Sequence, residues 1–351
     1  MPVSNVGDKV RNMKSNVKKG TAFLLILAAM LFGISEFINK AYACNQDMVG
    51  DRSKNVVALE KEKKDSIDVL VIGDSESYTT ISPMKFWNQC GITSFVGGQS
   101  GQQLSEAYNV FQKGIENQSP KLVMIETNMF YRRTNRSTKA MNAVEEFGNR
   151  YFSVFTHHGI WKKLLDDRNI KPVQSYKGFQ IRTQVAAYEG DNYMRRCCGR
   201  RRINSAVKTY VDKIVHTCKE KNIDVLFYSA PSPKNYNYKK HNAIKAYADK
   251  LGVAYVDLNL KQNQIGIDWK RDTLDRGDHL NIAGAEKVSN YMIAYVNKNY
   301  DLPDHRNESG YTEWNKLAEN YNREEQISIS RILAMNIGKQ TGVKDGKRAG
   351  N

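Results

Sequence analysis

Asp68-Val-Leu-Val-Ile72 runs directly into Gly73-Asp74-Ser75-Glu76-Ser77. Val69 to Ile72 form a short, uninterrupted apolar run, the pattern of a strand buried on both faces of a parallel sheet. Glycine then turns the chain and delivers Ser75 to the carboxyl end of the strand, where open α/β sheets bind their ligands. A serine there brings an exposed hydroxyl and its own amide to one spot, so a nucleophile and an oxyanion donor can coincide. Gly-Asp-Ser alone also suits a polar turn, so the surrounding chain has to decide between the two.

Outward from this junction the chain alternates strand and helix. Ser82-Pro83 reads as an N-cap followed by proline at the first helical position, and Gly91 closes that helix. Thr93 to Val96 is a second strand. Leu104, Tyr108, Phe111 and Ile115 follow the helical period before Pro120, and Lys121 to Glu126 is a third strand. Val207, Val211, Ile214, Val215 and Cys218 stripe another helix, which leads into the strand Asp224 to Tyr228. A helix then runs to Gly252, a C-cap, before the strand Val253 to Val256. The last helix starts near Asn281 and carries Ala285, Val288 and Met292. Short apolar strands separated by helices predict a parallel sheet covered on both faces.

The 351 residues suffice for one large globular domain or two small ones, and 40% hydrophobic with 26% charged residues is ordinary globular composition. Wholesale disorder, a collagen-like repeat and a multi-span membrane protein are thereby excluded. Lys and Arg number 53 against 37 Asp and Glu, a formal charge of +16 that implies an anionic partner. Cys44, Cys90, Cys197, Cys198 and Cys218 contain no C-x-x-C pair, so free thiols are expected rather than a zinc ribbon or disulfide scaffold.

Lys9, Arg11, Lys14, Lys18 and Lys19 precede an uncharged run from Gly20 to Ser35. With Phe37 and Ile38 the run approaches the roughly 20 residues that span a bilayer. Residues 1–20 are expected to be a basic cytoplasmic segment and 21–43 a single transmembrane anchor, with the remainder exported by the positive-inside rule. Ala41-Tyr42-Ala43 before Cys44 resembles a cleavage site, but Glu36 and Lys40 intervene. Residues 44–65 read as a polar stalk and 66–303 as the globular domain, with an insertion at 134–202 that breaks the alternation and is placed as a cap over the site. Residues 304–351 read as a polar extension, disordered from Lys339 onward.

Further features converge on the carboxyl edge. Gly97-Gly98-Gln99-Ser100-Gly101 follows the second strand with flexible backbone amides, and Asn128 follows the third with a side-chain amide. Asp275-Arg-Gly-Asp278-His279-Leu-Asn281 lies between the last strand and last helix, a base beside carboxylates. Arg132 and Arg133 lie just past the third strand and are candidate substrate contacts. Arg195, Arg196, Arg200, Arg201 and Arg202 form either a solvated basic patch or a clamp for phosphate or uronate oxygens. His157 and His158 are weak metal candidates, and no nucleic-acid-binding motif accompanies the charge.

With these residues in place, the stretch from about 67 to 298 resembles the SGNH (GDSL-like) hydrolase superfamily, and Asp278-His-Leu-Asn-Ile-Ala-Gly-Ala285 is similar to its terminal block. The resemblance implies a flavodoxin-like three-layer α/β/α fold with a five-stranded parallel sheet. It also implies Ser75 as nucleophile, His279 as general base, an oxyanion hole from the Ser75 amide, Gly98 and Asn128, and no cofactor or metal. The superfamily places its triad acid three residues before the histidine, where Arg276 stands. Asp275 is one position too far unless Gly277 absorbs the extra residue in a turn, and Asp278 adjoins the histidine, so Asp275 is favoured over Asp278. Asn128 also lies two residues earlier than the superfamily's Gly-x-Asn-Asp block places its asparagine.

The anchored topology is similar to that of the D-alanyl-lipoteichoic acid transfer protein and of membrane-linked polysaccharide O-acetyltransferases. It implies an extracytoplasmic esterase or O-acyltransferase acting on an anionic, teichoic-acid-like surface glycan, beside a membrane-bound O-acyltransferase. The alternatives are a non-catalytic scaffold for such a polymer and an esterase for small soluble esters.

Overall fold

The computed structural model describes residues 4–44, 54–132, 147–148, 151–152, 154 and 175–345. The chain divides into two units, one of residues 1–53 with 140–170 and one of 54–139 with 171–351. The first contains helix α1, Ser4–Cys44. Its stretch Arg11–Ile38, with a mean hydropathy of 2.2, is long and apolar enough to cross a membrane. Phe23, Leu24, Leu25, Ile26 and Phe32 are exposed along it, an arrangement that lipid would satisfy and water would not.

In the second unit the five strands β1 (Val69–Ile72), β2 (Ser94–Val96), β3 (Leu122–Glu126), β4 (Asp224–Ser229) and β5 (Ala254–Asp257) form one parallel sheet in the order β2-β1-β3-β4-β5. All pairings are parallel, with Leu70 opposite Phe95 and Val123, and Phe227 opposite Ile125 and Tyr255. This is the flavodoxin-like doubly wound order, whose topological switch lies between β1 and β3.

Strand periodicity sorts the side chains into two cores. Leu70, Ile72, Phe95, Val123, Ile125 and Phe227 point to one face. That face is covered by α2 (Lys54–Glu60), α4 (Leu104–Asn117), α5 (Ser205–Glu220) and α6 (Tyr238–Leu251). Val69, Val71, Val96, Leu122, Met124 and Leu226 point to the other, under α3 (Pro83–Cys90) and α7 (Ile282–Asn299). The punctuation read from sequence holds: Pro83 opens α3, Gly91 and Gly252 close α3 and α6 in the left-handed conformation, and Asn281 caps α7.

Two segments differ from their expected character. The supposed stalk includes α2, whose Val56, Val57 and Leu59 are buried; their apolar spacing was masked by the lysines and glutamates around them. The polar C-terminal segment contains α8 (Thr312–Asp345), which is helical past Lys339. Trp314, Ala318, Tyr321 and Ile332 of α8 are buried, with Trp314 against Trp87 at 5.4 Å and Tyr321 against Tyr176 at 5.1 Å. A handful of aromatic anchors suffices to dock a helix whose overall composition is polar.

Candidate active site

Asp74 caps the single helical turn Ser75–Tyr78 that follows β1: its Oδ1 accepts the Glu76 amide at 3.0 Å, and its carbonyl accepts the Ser77 hydroxyl at 2.7 Å. The loop after β2 presses against this turn. A Cβ on Gly98 would stand 2.0 Å from Ser77 Oγ and 2.8 Å from the Asp74 carbonyl, so only glycine permits the approach. Asn55 of α2 fastens the loop from outside, donating to the Gly98 carbonyl at 2.6 Å.

The segment between β5 and α7 brings the base to the serine. Thr273 and Leu280 form an isolated antiparallel bridge, and the chain between them reverses through Arg276 (φ +64°) and Gly277 (φ +84°). Two successive left-handed residues shorten the path from Asp275 to His279. The four-residue interval from Asp275 to His279 is closed there, at Gly277 and also at a non-glycine neighbour. As a result His279 Nδ1 lies 2.7 Å from Asp275 Oδ2, and its Nε2 lies 2.7 Å from Ser75 Oγ. A carboxylate only accepts, so Nδ1 carries the proton and Nε2 is left to accept from the serine hydroxyl. Asp278 stands 3.7 Å from the ring and is drawn elsewhere, its Oδ1 accepting from Asn235 Nδ2 at 2.5 Å. Ser75 itself is buried, 5% exposed, where an exposed hydroxyl was expected.

Asn128 opens the 3-10 turn that follows β3, and its side-chain amide donates to Asp74 Oδ2 at 3.4 Å, next to Ser75. Among the described residues the Ser75 and Gly98 amides donate to no protein acceptor. The Asn128 amide, in contrast, is directed at the Asp74 carboxylate, and Gly98 lies against the Asp74 carbonyl. Arg132 Nε binds the fully buried Asp74 Oδ2 at 2.6 Å, and its Nη2 lies 3.5 Å from Ser75 Oγ. Its guanidinium is thus engaged within the protein as well as facing the site. Arg133 lies outside the described residues.

Beneath the serine three carboxyl groups, Asp74, Glu76 and Glu126, are all inaccessible to solvent. Burial, then the neighbouring Asp74 and Glu126 charges, hold the Glu76 carboxyl well above the usual range. Burial and Asp74 push Glu126 up to about 8, although it accepts the Asn128 and Ala230 amides. Arg132 is the cation bonded to this group, through Asp74, and burial biases both glutamates toward their protonated forms. Sequence inspection missed Glu76, Glu126 and Asn235. The available signal was a glutamate ending an otherwise apolar strand and another directly after the serine.

Glu76, Asp278 and His279 offer ligand atoms within 4.8 Å of one another, the spacing a cation would need. Both His279 ring nitrogens are, however, already held by Ser75 and Asp275.

The described part of the insertion, residues 175–202, runs along the site. Ala186 bonds to Thr273 and Arg276, and Ile282 donates to Arg182. His157 and His158 lie outside the described residues. Arg195, Arg196, Arg200, Arg201 and Arg202 are exposed, and among the described residues none pairs with a carboxylate. Their backbone is held in part by Asn242, which donates to the carbonyls of Cys197 and Gly199. Cys90, Cys197, Cys198 and Cys218 are free thiols.

The fold and this edge together describe a doubly wound α/β domain with a serine, a histidine and a carboxylate in line at its switch point. No family model matches the chain. No curated protein matches it either. Among solved structures it is similar to the lipase/acylhydrolase from Enterococcus faecalis, at 10% identity and TM-score 0.38 over 68% of this chain and 98% of that one. It is also similar to a psychrotrophic esterase from Pseudoalteromonas sp., at 13% identity and TM-score 0.36 over 66% and 96%. A GDSL-like lipase from Bacteroides thetaiotaomicron matches at 14% identity and TM-score 0.34 over 74% and 98%. At such identities and scores the chemistry has to be read from this chain's own residues.

Proposed function

We propose that the protein is a serine esterase or O-acyltransferase of the SGNH type. The observation that carries this reading is the unbroken chain of contacts Ser75 Oγ, His279 Nε2, His279 Nδ1 and Asp275 Oδ2, each link 2.7 Å. His279 takes the hydroxyl proton as Ser75 Oγ attacks an ester carbonyl carbon, while Asp275 stabilises the imidazolium that forms. The Ser75, Gly98 and Asn128 donors, with the Arg132 guanidinium nearby, face the negative charge developing on the carbonyl oxygen. Collapse of the tetrahedral intermediate breaks the ester C–O bond, and the alcohol leaves with the proton from His279. Water or a second hydroxyl then resolves the acyl-enzyme by the same steps in reverse order. Water makes the protein an esterase and a sugar hydroxyl makes it a transferase.

The substrate belongs to an anionic surface glycan in this proposal. The five exposed guanidiniums from Arg195 to Arg202, none paired with a carboxylate among the described residues, and the +16 charge support a polyanion. The basic flank before the α1 apolar run supports an extracytoplasmic domain, within reach of a membrane-bound O-acyltransferase.

A fluorophosphonate probe tests the chemistry: it should label the detergent-solubilised chain, and Ser75→Ala should abolish the label. Absence of labelling in the wild-type chain, with glycan binding retained, would make the protein a non-catalytic scaffold.

A further inference from the structure

Beside the loop that carries Asp275 and His279 lies a cavity of about 430 Å³, within the range of small-molecule sites. Tyr188, Tyr193 and Trp269 form its apolar part, and Asn192 and Asn263 stand in its polar part. The three rings meet edge to face: Tyr188 and Tyr193 at 6.4 Å, Tyr188 and Trp269 at 6.2 Å, Tyr193 and Trp269 at 6.1 Å. Each ring is half-buried and tied back at its polar atom. Trp269 Nε1 donates to Gln262 at 2.6 Å, the Tyr193 hydroxyl to Asn259 at 3.0 Å, and the Tyr188 hydroxyl to the Asp191 carbonyl at 3.1 Å. The ring orientations are therefore set before anything binds, which lowers the entropy lost on binding.

The cavity shares a wall with the catalytic loop. Tyr188 donates its amide to Trp269 at 2.9 Å, and Arg276 donates to Ala186 at 2.9 Å. The Tyr188 ring stands 3.0 Å from where a Cβ on Gly277 would lie, two residues before His279. A molecule held in the cavity is thus held alongside the segment that positions the base.

We propose that this cavity is a subsite for an uncharged pyranose ring of the substrate, an assignment that rests on the esterase proposed above. A pyranose has a face of C–H groups, weakly positive, that matches the negative face of an aromatic ring, and a rim of hydroxyls that both donate and accept. Asparagine amides do the same, and Asn192 and Asn263 supply them. An acyl chain could make no hydrogen bond to those amides. An anionic group is disfavoured because among the described residues no Lys or Arg lines the cavity, and the one charged lining residue is Asp191. The guanidiniums begin immediately beyond it, at Arg195 after the lining residue Met194, so a ring seated here leaves a neighbouring anionic unit to the basic patch.

The test separates the subsite from the chemistry. Cellobiose, chitobiose and maltose are titrated into the detergent-solubilised full chain carrying Ser75→Ala, with tryptophan fluorescence as readout. At least one should give a saturable change, which Trp269→Phe removes and Asn263→Arg, a substitution at an exposed position, weakens by about tenfold or more. In the chain with Ser75 intact, Asn263→Arg should lower kcat/KM for a mono-O-acetylated cellobiose relative to p-nitrophenyl acetate by about tenfold, through KM. Saccharide binding in a chain that hydrolyses neither ester would uphold the subsite and overturn the esterase. Hydrolysis of both esters without binding of any of the three saccharides, or with an unchanged ratio in Asn263→Arg, would overturn the subsite and leave the esterase standing.

Discussion

Asp275 holds His279 twice: its Oδ1 accepts the histidine backbone amide at 2.7 Å, and its Oδ2 accepts the ring Nδ1 proton at 2.7 Å. One carboxylate therefore fixes both the position of the residue and the orientation and tautomer of its ring. Asp278, the sequence neighbour, is bonded to Asn235 and stands 3.7 Å from both Lys234 Nζ and His279 Nδ1, beyond hydrogen-bond reach of the ring.

The first prediction follows from this asymmetry. Asp275→Asn puts an amide where only an acceptor serves, favours the wrong imidazole tautomer, and should lower kcat on p-nitrophenyl acetate by about 10⁴-fold, the loss known for a serine protease triad. Asp278→Asn should cost about tenfold or less, because it disturbs Asn235 and not the ring. Circular dichroism should show both variants folded. Equal losses, or the reverse order, would assign the orienting role to Asp278.

The preference for Asp275 was accessible from the sequence because glycine in a four-residue interval signals a turn. Which atoms meet was not, since the left-handed Arg276 has no sequence signature. The sheet was legible for a similar reason: its strands are continuous apolar runs with glycine, proline and asparagine at the helix ends. α2 and α8 were missed because a few buried anchors within charged stretches, such as Leu59 and Tyr321, vanish in average composition. The acid cluster was missed because burial, not residue type, makes Glu76 and Glu126 unusual.

The second prediction concerns pH and stability. Glu126 is pushed up to about 8 in the folded chain by burial and Asp74, against 4.5 for the unconstrained group. The folded state therefore binds more protons than the unfolded one between these values. Its stabilising proton is fully present below the unfolded pKa and is lost as pH rises through the folded one. Stability should fall from about pH 5 to pH 8 with a slope from this group of at most about 1.4 kcal/mol per pH unit. Melting temperatures of wild type and Glu126→Gln measured across that window should converge at low pH and separate at high pH, with the variant higher. Parallel curves would show that Glu126 does not titrate there.

Arg132 supplies a third. Its Nε is 2.6 Å from the buried Asp74 carboxylate, so Arg132→Ala strands a charge beneath the serine. Removing one partner of a buried pair costs about 3 to 5 kcal/mol, and the one-third exposure of Arg132 places this case at the lower end. Chemical denaturation should show that loss, and Arg132→Lys should recover only part of it because one ammonium cannot reproduce the guanidinium fork. An unchanged denaturation midpoint in Arg132→Ala would mean that the Arg132–Asp74 contact contributes nothing to stability.

A fourth prediction addresses orientation. Lys9, Arg11, Lys14, Lys18 and Lys19 before the α1 apolar run are the basis for the proposed cytoplasmic N-terminus. Protease added to spheroplasts expressing the full chain should therefore digest the α/β unit. Complete protection until lysis would reverse the assigned topology.

The last prediction isolates Glu76, whose carboxyl touches the site through Asn235 and not through the triad. Asn235 Nδ2 donates to Glu76 Oε1 at 3.0 Å and to Asp278 at 2.5 Å, while the buried Glu76 Oε2 lacks a close hydrogen-bond partner among the described residues. An ionised carboxylate in that position would be costly, and burial with the Asp74 and Glu126 charges holds the group toward its protonated form. Glu76→Gln keeps the shape and the neutral state, so activity at pH 7 should stay within about threefold of wild type. Deprotonation of the wild-type group at high pH sets a charge beneath the nucleophile and destabilises the folded chain. Stability carried by a raised carboxyl is present at low pH and lost as pH rises, so Glu76→Gln should extend folding toward alkaline pH. Glu76→Ala should instead destabilise at every pH, by opening a cavity and freeing Asn235. A pH–rate profile and a pH–melting profile of the two variants distinguish these effects. A large loss of kcat in Glu76→Gln at pH 7, with an unchanged melting profile, would show that Glu76 works as a charged carboxylate and that the two glutamates do not share the protonated state.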